Sequence, residues 1–284
     1  MVSIAFRKED IVLYKKGILC ILMFVFLMSI LAGCQQGGTI SNTLTPEKTS
    51  NPQVQKSSEP TKKYTQSSTI KPAAKLVVID AGHQAKGNSD TEPIGPGATE
   101  MKKKVSSGTR GTTTGIYEYE LNLTVAHKLK KVLEGMGYLV IMTRTTNDVD
   151  ISNSERAKMA NTANADALIR IHANGSEKSS INGVLTICNT SKNPYNASIY
   201  QQCRKLADCV LSAVITSTNA NSRGVWETDT MSGINWSKVP TTIVEMGYMT
   251  NPEEEKLLVN EEYEDKIVTG IANGLNQYFK EANN

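Results

Sequence analysis

Leu76-Val77-Val78-Ile79-Asp80-Ala81-Gly82-His83 and Ala167-Leu168-Ile169-Arg170-Ile171-His172-Ala173-Asn174 decide the fold of this chain. Each is a short, nearly continuous apolar run, the pattern of a strand buried on both faces. Each also carries a histidine at its end, and the chain has only three histidines. Outward from these runs, strand and helix patterns alternate. Residues 117–135 repeat Leu121, Val125, Leu129, Val132 and Leu133 at helical spacing. Residues 138–143 read as a strand, and 153–163 as a helix capped by Ser152 or Asn153. Strands follow over 183–188 and 241–246, and helices over 195–216, 252–259 and 262–279. Such alternation predicts a single α/β domain over 75–284, with a mostly parallel central sheet flanked by helices. Ligands of such folds gather beyond the carboxyl ends of the strands, where His83, His172 and Glu245 fall.

The chain before that domain is of a different kind. Arg7, Lys8, Lys15 and Lys16 precede an apolar run over 18–32, and Gly33-Cys34 follows at once. A basic region, a short apolar region and small residues make a secretory signal over 1–33. The run is short of the roughly 20 apolar residues that a membrane span needs. Leu31-Ala32-Gly33-Cys34 resembles the lipobox of bacterial lipoproteins, which implies cleavage before Cys34 and acylation of it. Residues 34–74 are rich in Ser, Thr, Pro, Gln and Lys, a composition that cannot bury a core and reads as a disordered tether. The overall charge of +3 sits in these leading segments, because 75–284 holds 22 Lys/Arg against 24 Asp/Glu. Nothing in the domain's charge points to nucleic acid. Cys188, Cys203 and Cys209 form no metal or disulfide pattern and read as buried thiols.

Two strand-end imidazoles can meet in space, and with one carboxylate they form the three-ligand set of an open zinc site. Asp80, Glu118 and Glu120 are the nearest carboxylates along the chain. Glu118 and Glu120 lie about 200° apart on a helix, so both cannot face one metal, and spacing leaves the two open. Asp80 is placed to orient a ligand rather than to bind. Glu245 closes the apolar Ile243-Val244, a costly place for a charge unless it faces a cleft or a partner, and is the candidate general base. His127, four residues after Leu123 and two before Leu129, reads as a surface or packing residue. Residues 84–116, with six glycines and Lys102-Lys103-Lys104, read as one long loop that starts at His83 and borders the site.

Asp80-Ala81-Gly82-His83, Glu118-Tyr119-Glu120-Leu121-Asn122-Leu123, Ile171-His172-Ala173-Asn174 and Val244-Glu245-Met246-Gly247-Tyr248-Met249-Thr250-Asn251 occur in order. Thr143-Arg144, Arg156, Asn161, Asp166 and Pro240 fall between them. Together they resemble the zinc-dependent N-acetylmuramoyl-L-alanine amidases of the Amidase_3 type, from about 75 to about 278. The resemblance implies a phosphorylase/hydrolase-like fold and one zinc ion on His83, Glu118 and His172, which separates Glu118 from Glu120. It also implies Glu245 as the catalytic residue. The substrate is then peptidoglycan, cut between N-acetylmuramic acid and L-alanine. Arg144 and Arg170 are candidate oxyanion or substrate contacts, with ion pairing inside the fold as the plainer reading. The loop after His83 is longer than in a compact member of the family.

With the lipid signal, these features describe a monomeric, membrane-anchored enzyme outside the cytoplasm that faces the wall. A zinc peptidase cutting within the stem peptide would use similar parts, though no HExxH pair is present. No GxSxG elbow appears, which disfavours a serine nucleophile. A non-catalytic wall-binding lipoprotein would more naturally have lost Glu245 or a ligand. A solute-binding lipoprotein would normally need two lobes.

Overall fold

The computed structural model describes residues 74–282, so the signal over 1–33, Cys34 and the tether up to residue 73 lie outside the described residues. Its frame is a six-stranded sheet. β1 (Leu76–Ala81) lies between β4 (Leu139–Met142) and β5 (Ala167–Asn174), both parallel to it. β8 (Thr241–Tyr248) follows parallel to β5. β6 (Val184–Cys188) then runs antiparallel to β8, and β7 (Ser222–Glu227) runs parallel to β6 at the edge. The order is β4-β1-β5-β8-β6-β7. The four strands that carry the sequence motifs are thus mutually parallel, and the reversed pair β6–β7 closes one side.

Strand residues alternate between two faces. Val77, Ile79, Ile169, Ile171 and Val244 join the large core formed with α1 (Glu118–Gly135), α3 (Tyr200–Thr218) and α6 (Glu261–Ala282). α3 and α6 approach so closely that a Cβ on Gly270 or Gly274 would meet the Val214 or Val210 backbone. The other face is thinner. There Val78 and Leu168 meet Ala160 of α2 (Asn153–Thr162), and Ile243 meets Ile234 of the short α4 (Ser232–Asn235). α5 (Pro252–Leu258) follows β8. Residues 195–199, expected within a helix, form instead a loop and a 3-10 turn over Ala197–Ile199. The cause is local: the Asn193 side-chain oxygen accepts from the N–H groups of Tyr195 and Asn196 and offers the chain an alternative to helix. Cys188, Cys203 and Cys209 are buried free thiols.

The stretch over 84–116 is not one open loop. It contains an antiparallel ribbon, β2 (Asn88–Pro93) with β3 (Met101–Val105). Asn, Asp, Glu, Pro and Lys dominate these strands, residues of low β propensity without apolar alternation, so the ribbon leaves no signal in sequence. It is held by docking. The Ser154 N–H donates to Glu92, Asn153 Nδ2 to the Lys104 carbonyl, and Trp236 Nε1 to the Pro93 carbonyl.

Between β1 and α2 lies a buried charge network. Asp80 is fully buried and accepts from Arg156 Nη1 at 2.8 Å, Arg170 Nε at 2.8 Å and Thr143 Oγ1 at 2.6 Å. Burial works against its ionisation, but the Arg156 and Arg170 guanidiniums hold it well below the usual carboxylate range. Arg156 spends its remaining donors on the carbonyls of Ala81, His83 and Ile151 and on Gln84. Replacing Arg156 by Met keeps the volume but leaves a buried anion and three carbonyls short of a donor. The expected loss is about 3–5 kcal/mol in urea unfolding at neutral pH, and a loss below about 1 kcal/mol would contradict this account. Since the folded Asp80 value is depressed, its contribution is present above its ordinary 3.8 and is lost as pH falls below that.

Candidate metal centre

Three elements deliver three side chains to one point. His83 follows β1 with φ of 62°, a left-handed backbone that a non-glycine residue rarely adopts. Its Nδ1 meets the Ser106 carbonyl at 2.9 Å, which puts the ring proton there and leaves the Nε2 lone pair facing inward. His172 is the sixth residue of β5 and turns Nδ1 inward. Its ring lies on Gly82, where any Cβ would overlap it, and its buried Nε2 has no hydrogen-bond partner among the described residues. Glu118 opens α1 and is 3% exposed. It accepts from Thr109 N at 2.9 Å, Ala173 N at 3.1 Å and Asn122 Nδ2 at 3.3 Å. Glu120 faces elsewhere: its carboxylate turns back to the Tyr117 N–H and caps the helix.

His83 Nε2, His172 Nδ1 and Glu118 Oε1 form a triangle with every edge 3.1 Å. Tetrahedral zinc bonds of ~2.0–2.1 Å would separate their ligand atoms by about 3.3 Å. The chemistry fits as well as the size. Burial pushes His172 down to about 4, against the pull of Glu118, so the ring is neutral at pH 7. Burial works against ionisation of Glu118, but the facing His172 and His83 rings keep it well below the usual carboxylate range. Two ring nitrogens and a carboxylate oxygen converge, a set that needs a shared proton or a cation between its members to hold together. Among the described residues this is the His/Cys/Asp/Glu cluster able to hold a metal ion.

Glu245 stands one strand away, in register with His172 across β5 and β8. Burial pushes its carboxyl up to about 8, the Glu118 anion adds to the rise, and Arg170 opposes it. Both residues line an open cleft of about 600 Å³ with His83, Glu118, Thr109, Asn174, Ser176 and Thr250. The cleft is walled by short polar groups and backbone, a surface for a hydrogen-bonding substrate.

Arg144 and Arg170, candidates for substrate or oxyanion contact with pairing inside the fold as the plainer reading, spend their donors inside the fold. Neither lines the cleft. All five Arg144 donors go to the carbonyls of Ala81, Gly82, Tyr119 and Thr146 and to Asn147. Arg170 binds Asp80 and Asn153 and packs its guanidinium against Gly233. Asp80 orients a ligand at one remove, through Arg156 and the His83 carbonyl. His127 is exposed on α1. Ser106 and Thr109 support the site but escape sequence reading, because they lie beyond a ribbon without a pattern.

A family profile described as N-acetylmuramoyl-L-alanine amidase matches residues 77–277. The N-acetylmuramoyl-L-alanine amidase LytC of Bacillus subtilis is 29% identical over 204 residues, which are 72% of this chain and 35% of LytC. The chain thus spans little more than a third of that relative's length. The crystal structure of N-acetylmuramoyl-L-alanine amidase from Clostridium difficile 630 aligns with a TM-score of 0.60 at 29% identity, covering 73% of this chain and 97% of that one. Ami1 from Mycobacterium smegmatis aligns with a TM-score of 0.66 at 24% identity, covering 73% and 97%, a likeness of fold.

Two outcomes check the centre. Gly82→Ala drives a methyl into the His172 ring and is expected to cost about 1–3 kcal/mol. Gly135→Ala, where a Cβ meets nothing within 4 Å, is expected to be neutral or to stabilise by up to about 1 kcal/mol. Equal effects in thermal unfolding would undo the contact argument. The second outcome concerns pH. Glu245 has a folded value near 8, above its ordinary 4.5, so its favourable contribution is complete below 4.5 and lost as pH rises through 8. Metal-free Glu245→Gln should therefore be more stable than the parent above pH 8, and the reverse order would contradict this.

Proposed function

We propose that this chain, which belongs to the N-acetylmuramoyl-L-alanine amidase family Amidase_3, hydrolyses the amide bond between N-acetylmuramic acid and L-alanine in peptidoglycan. The observation that carries the reading is the triangle of His83, Glu118 and His172, with Glu245 beside it in one open cleft. His83, Glu118 and His172 would hold one zinc ion. When bound, zinc supplies Lewis acidity, which brings the pKa of water towards neutrality and polarises the scissile carbonyl.

The chain's own residues do the rest. Glu245 takes a proton from the attacking water, whose oxygen adds to the lactyl carbonyl carbon. The C–N bond then breaks, and Glu245 returns the proton to the departing nitrogen of L-alanine. Glu245 lies in register with His172 and lines the same cleft, which places one carboxylate to take the proton and to return it. Asp80 and Arg156 keep the His83 turn rigid while this happens, and Thr109, Asn174, Ser176 and Thr250 offer polar groups along the cleft.

In its setting the enzyme is a single chain on the outer side of the membrane, tethered through a lipid on Cys34 and reaching the wall through residues 34–74. The Leu31-Ala32-Gly33-Cys34 sequence and the polar composition that follows support this placement.

Mass analysis of peptidoglycan treated with the purified protein tests the reaction. Intact stem peptides with a free L-alanine amino group are expected, and a cut within the stem would make the enzyme a peptidase. A chelator should abolish release and zinc restore it. Glu245→Gln should retain one zinc per chain and lose about 10²-fold or more in rate, whereas full activity would refute its role. His127→Ala should match the parent in zinc content and rate.

A further inference from the structure

Glu255 is fully buried, and its hydrogen-bond donors among the described residues are threonine groups rather than a lysine or arginine. Its partners are three consecutive threonines. Oε1 accepts from the Thr114 N–H at 2.7 Å and the Thr114 hydroxyl at 2.6 Å. Oε2 accepts from the Thr113 N–H at 2.6 Å and the Thr112 hydroxyl at 3.4 Å. Gly111 lies so close that a Cβ there would overlap the carboxylate. The threonines themselves are exposed.

These threonines form the tip of a small turn whose base is the metal centre. Arg110 bridges to Tyr117, Gly111 N donates to the Ile116 carbonyl, and Glu118 N donates to the Thr109 carbonyl. Thr109 N in turn donates to Glu118 Oε2. The tip itself carries no apolar side chain; besides Glu255 it has the Thr112 N–H on the Met249 carbonyl, and Ile116 packs on the core behind it. Burial works against the Glu255 anion, but the hydroxyl and N–H of Thr114 and the N–H of Thr113 outweigh it and hold the carboxyl below its ordinary range, so the grip on the tip is made by a charge. Directional bonds to two successive N–H groups fix the turn's position as well as its presence. Glu255 is itself held in α5, whose first turn is capped by Asn251.

We propose that Glu255 is a positioning residue for the metal centre: by gripping the tip of the 109–118 turn it sets the place of Glu118, and thereby the affinity of the His83, Glu118 and His172 set for a divalent cation. The inference rests on reading those three residues as metal ligands. Glu255 touches neither the metal set nor the cleft; it acts through backbone.

Zinc titration of the metal-free full chain by calorimetry, beside thermal unfolding of the same samples, tests it. Glu255→Gln puts an NH2 group against N–H donors, and its zinc dissociation constant is expected to rise about tenfold or more, the scale of lost supporting contacts at metal sites. Thr114→Val removes one donor and should weaken zinc binding less. In the double variant the losses should not add, because both changes release the same tip. Zinc affinity unchanged in folded Glu255→Gln, or additive losses, would overturn the proposal. If Glu255→Gln does not fold, Thr114→Val decides: unchanged affinity overturns the proposal and weakened affinity supports it. A parent chain that binds no zinc would instead remove the ligand reading beneath it.

Discussion

The carboxylate of Asp80 is the contact on which the rest of the structure depends. Arg144, Arg156 and Arg170 are all buried around the end of β1, and three guanidiniums could not share that space without an anion among them. Asp80 binds two of them directly. Once in place, Arg144 and Arg156 take the carbonyls of Ala81, Gly82 and His83. Those bonds offset the cost of the left-handed backbone at His83, which aims its ring back across the end of the sheet. A charge inside the fold thus becomes a direction at the cleft.

The parts of this arrangement that were legible in the sequence are those that obey a period. β1, β5 and β8 announce themselves as apolar runs, and His83, His172 and Glu245 mark their ends. α1 shows itself by Leu121, Val125 and Leu129, which places Glu118 and Glu120 on its first turn but does not choose between them. The family resemblance implied Glu118, and the capping bond gives the physical reason: Glu120 serves the Tyr117 N–H, and Glu118 is left to turn inward. The β2–β3 ribbon, β7 and α4 have no such period, because docking rather than local propensity makes them. The arginines show a different limit. Charge at a strand end reads as available, and only three-dimensional donors and acceptors reveal that Arg144 has none to spare.

The two faces of the sheet divide the work. One carries the continuous apolar core under α1, α3 and α6. The other carries a thin alanine and valine layer and then, towards the strand ends, Asp80, Arg170, His172 and Glu245. A raised Glu245 and an orphaned His172 Nε2 are local defects in a folded protein. They are tolerable because the opposite face supplies stability that does not depend on them.

The ribbon carries one more implication. Much of its grip on the body is through the carbonyls of Pro93, Ile94 and Lys104. Every amino acid owns such an acceptor, so much of the ribbon's own side-chain sequence is released from the duty of holding it in place. At Pro93, Ile94 and Lys104 the fastening survives a change of side chain, whereas Glu92, which takes the Ser154 N–H, and buried Val105 are not so free. The stretch that leads into Ser106 and Gly108 at the cleft is thus fastened partly by groups that every residue carries, beside a centre where a single methyl on Gly82 finds no room.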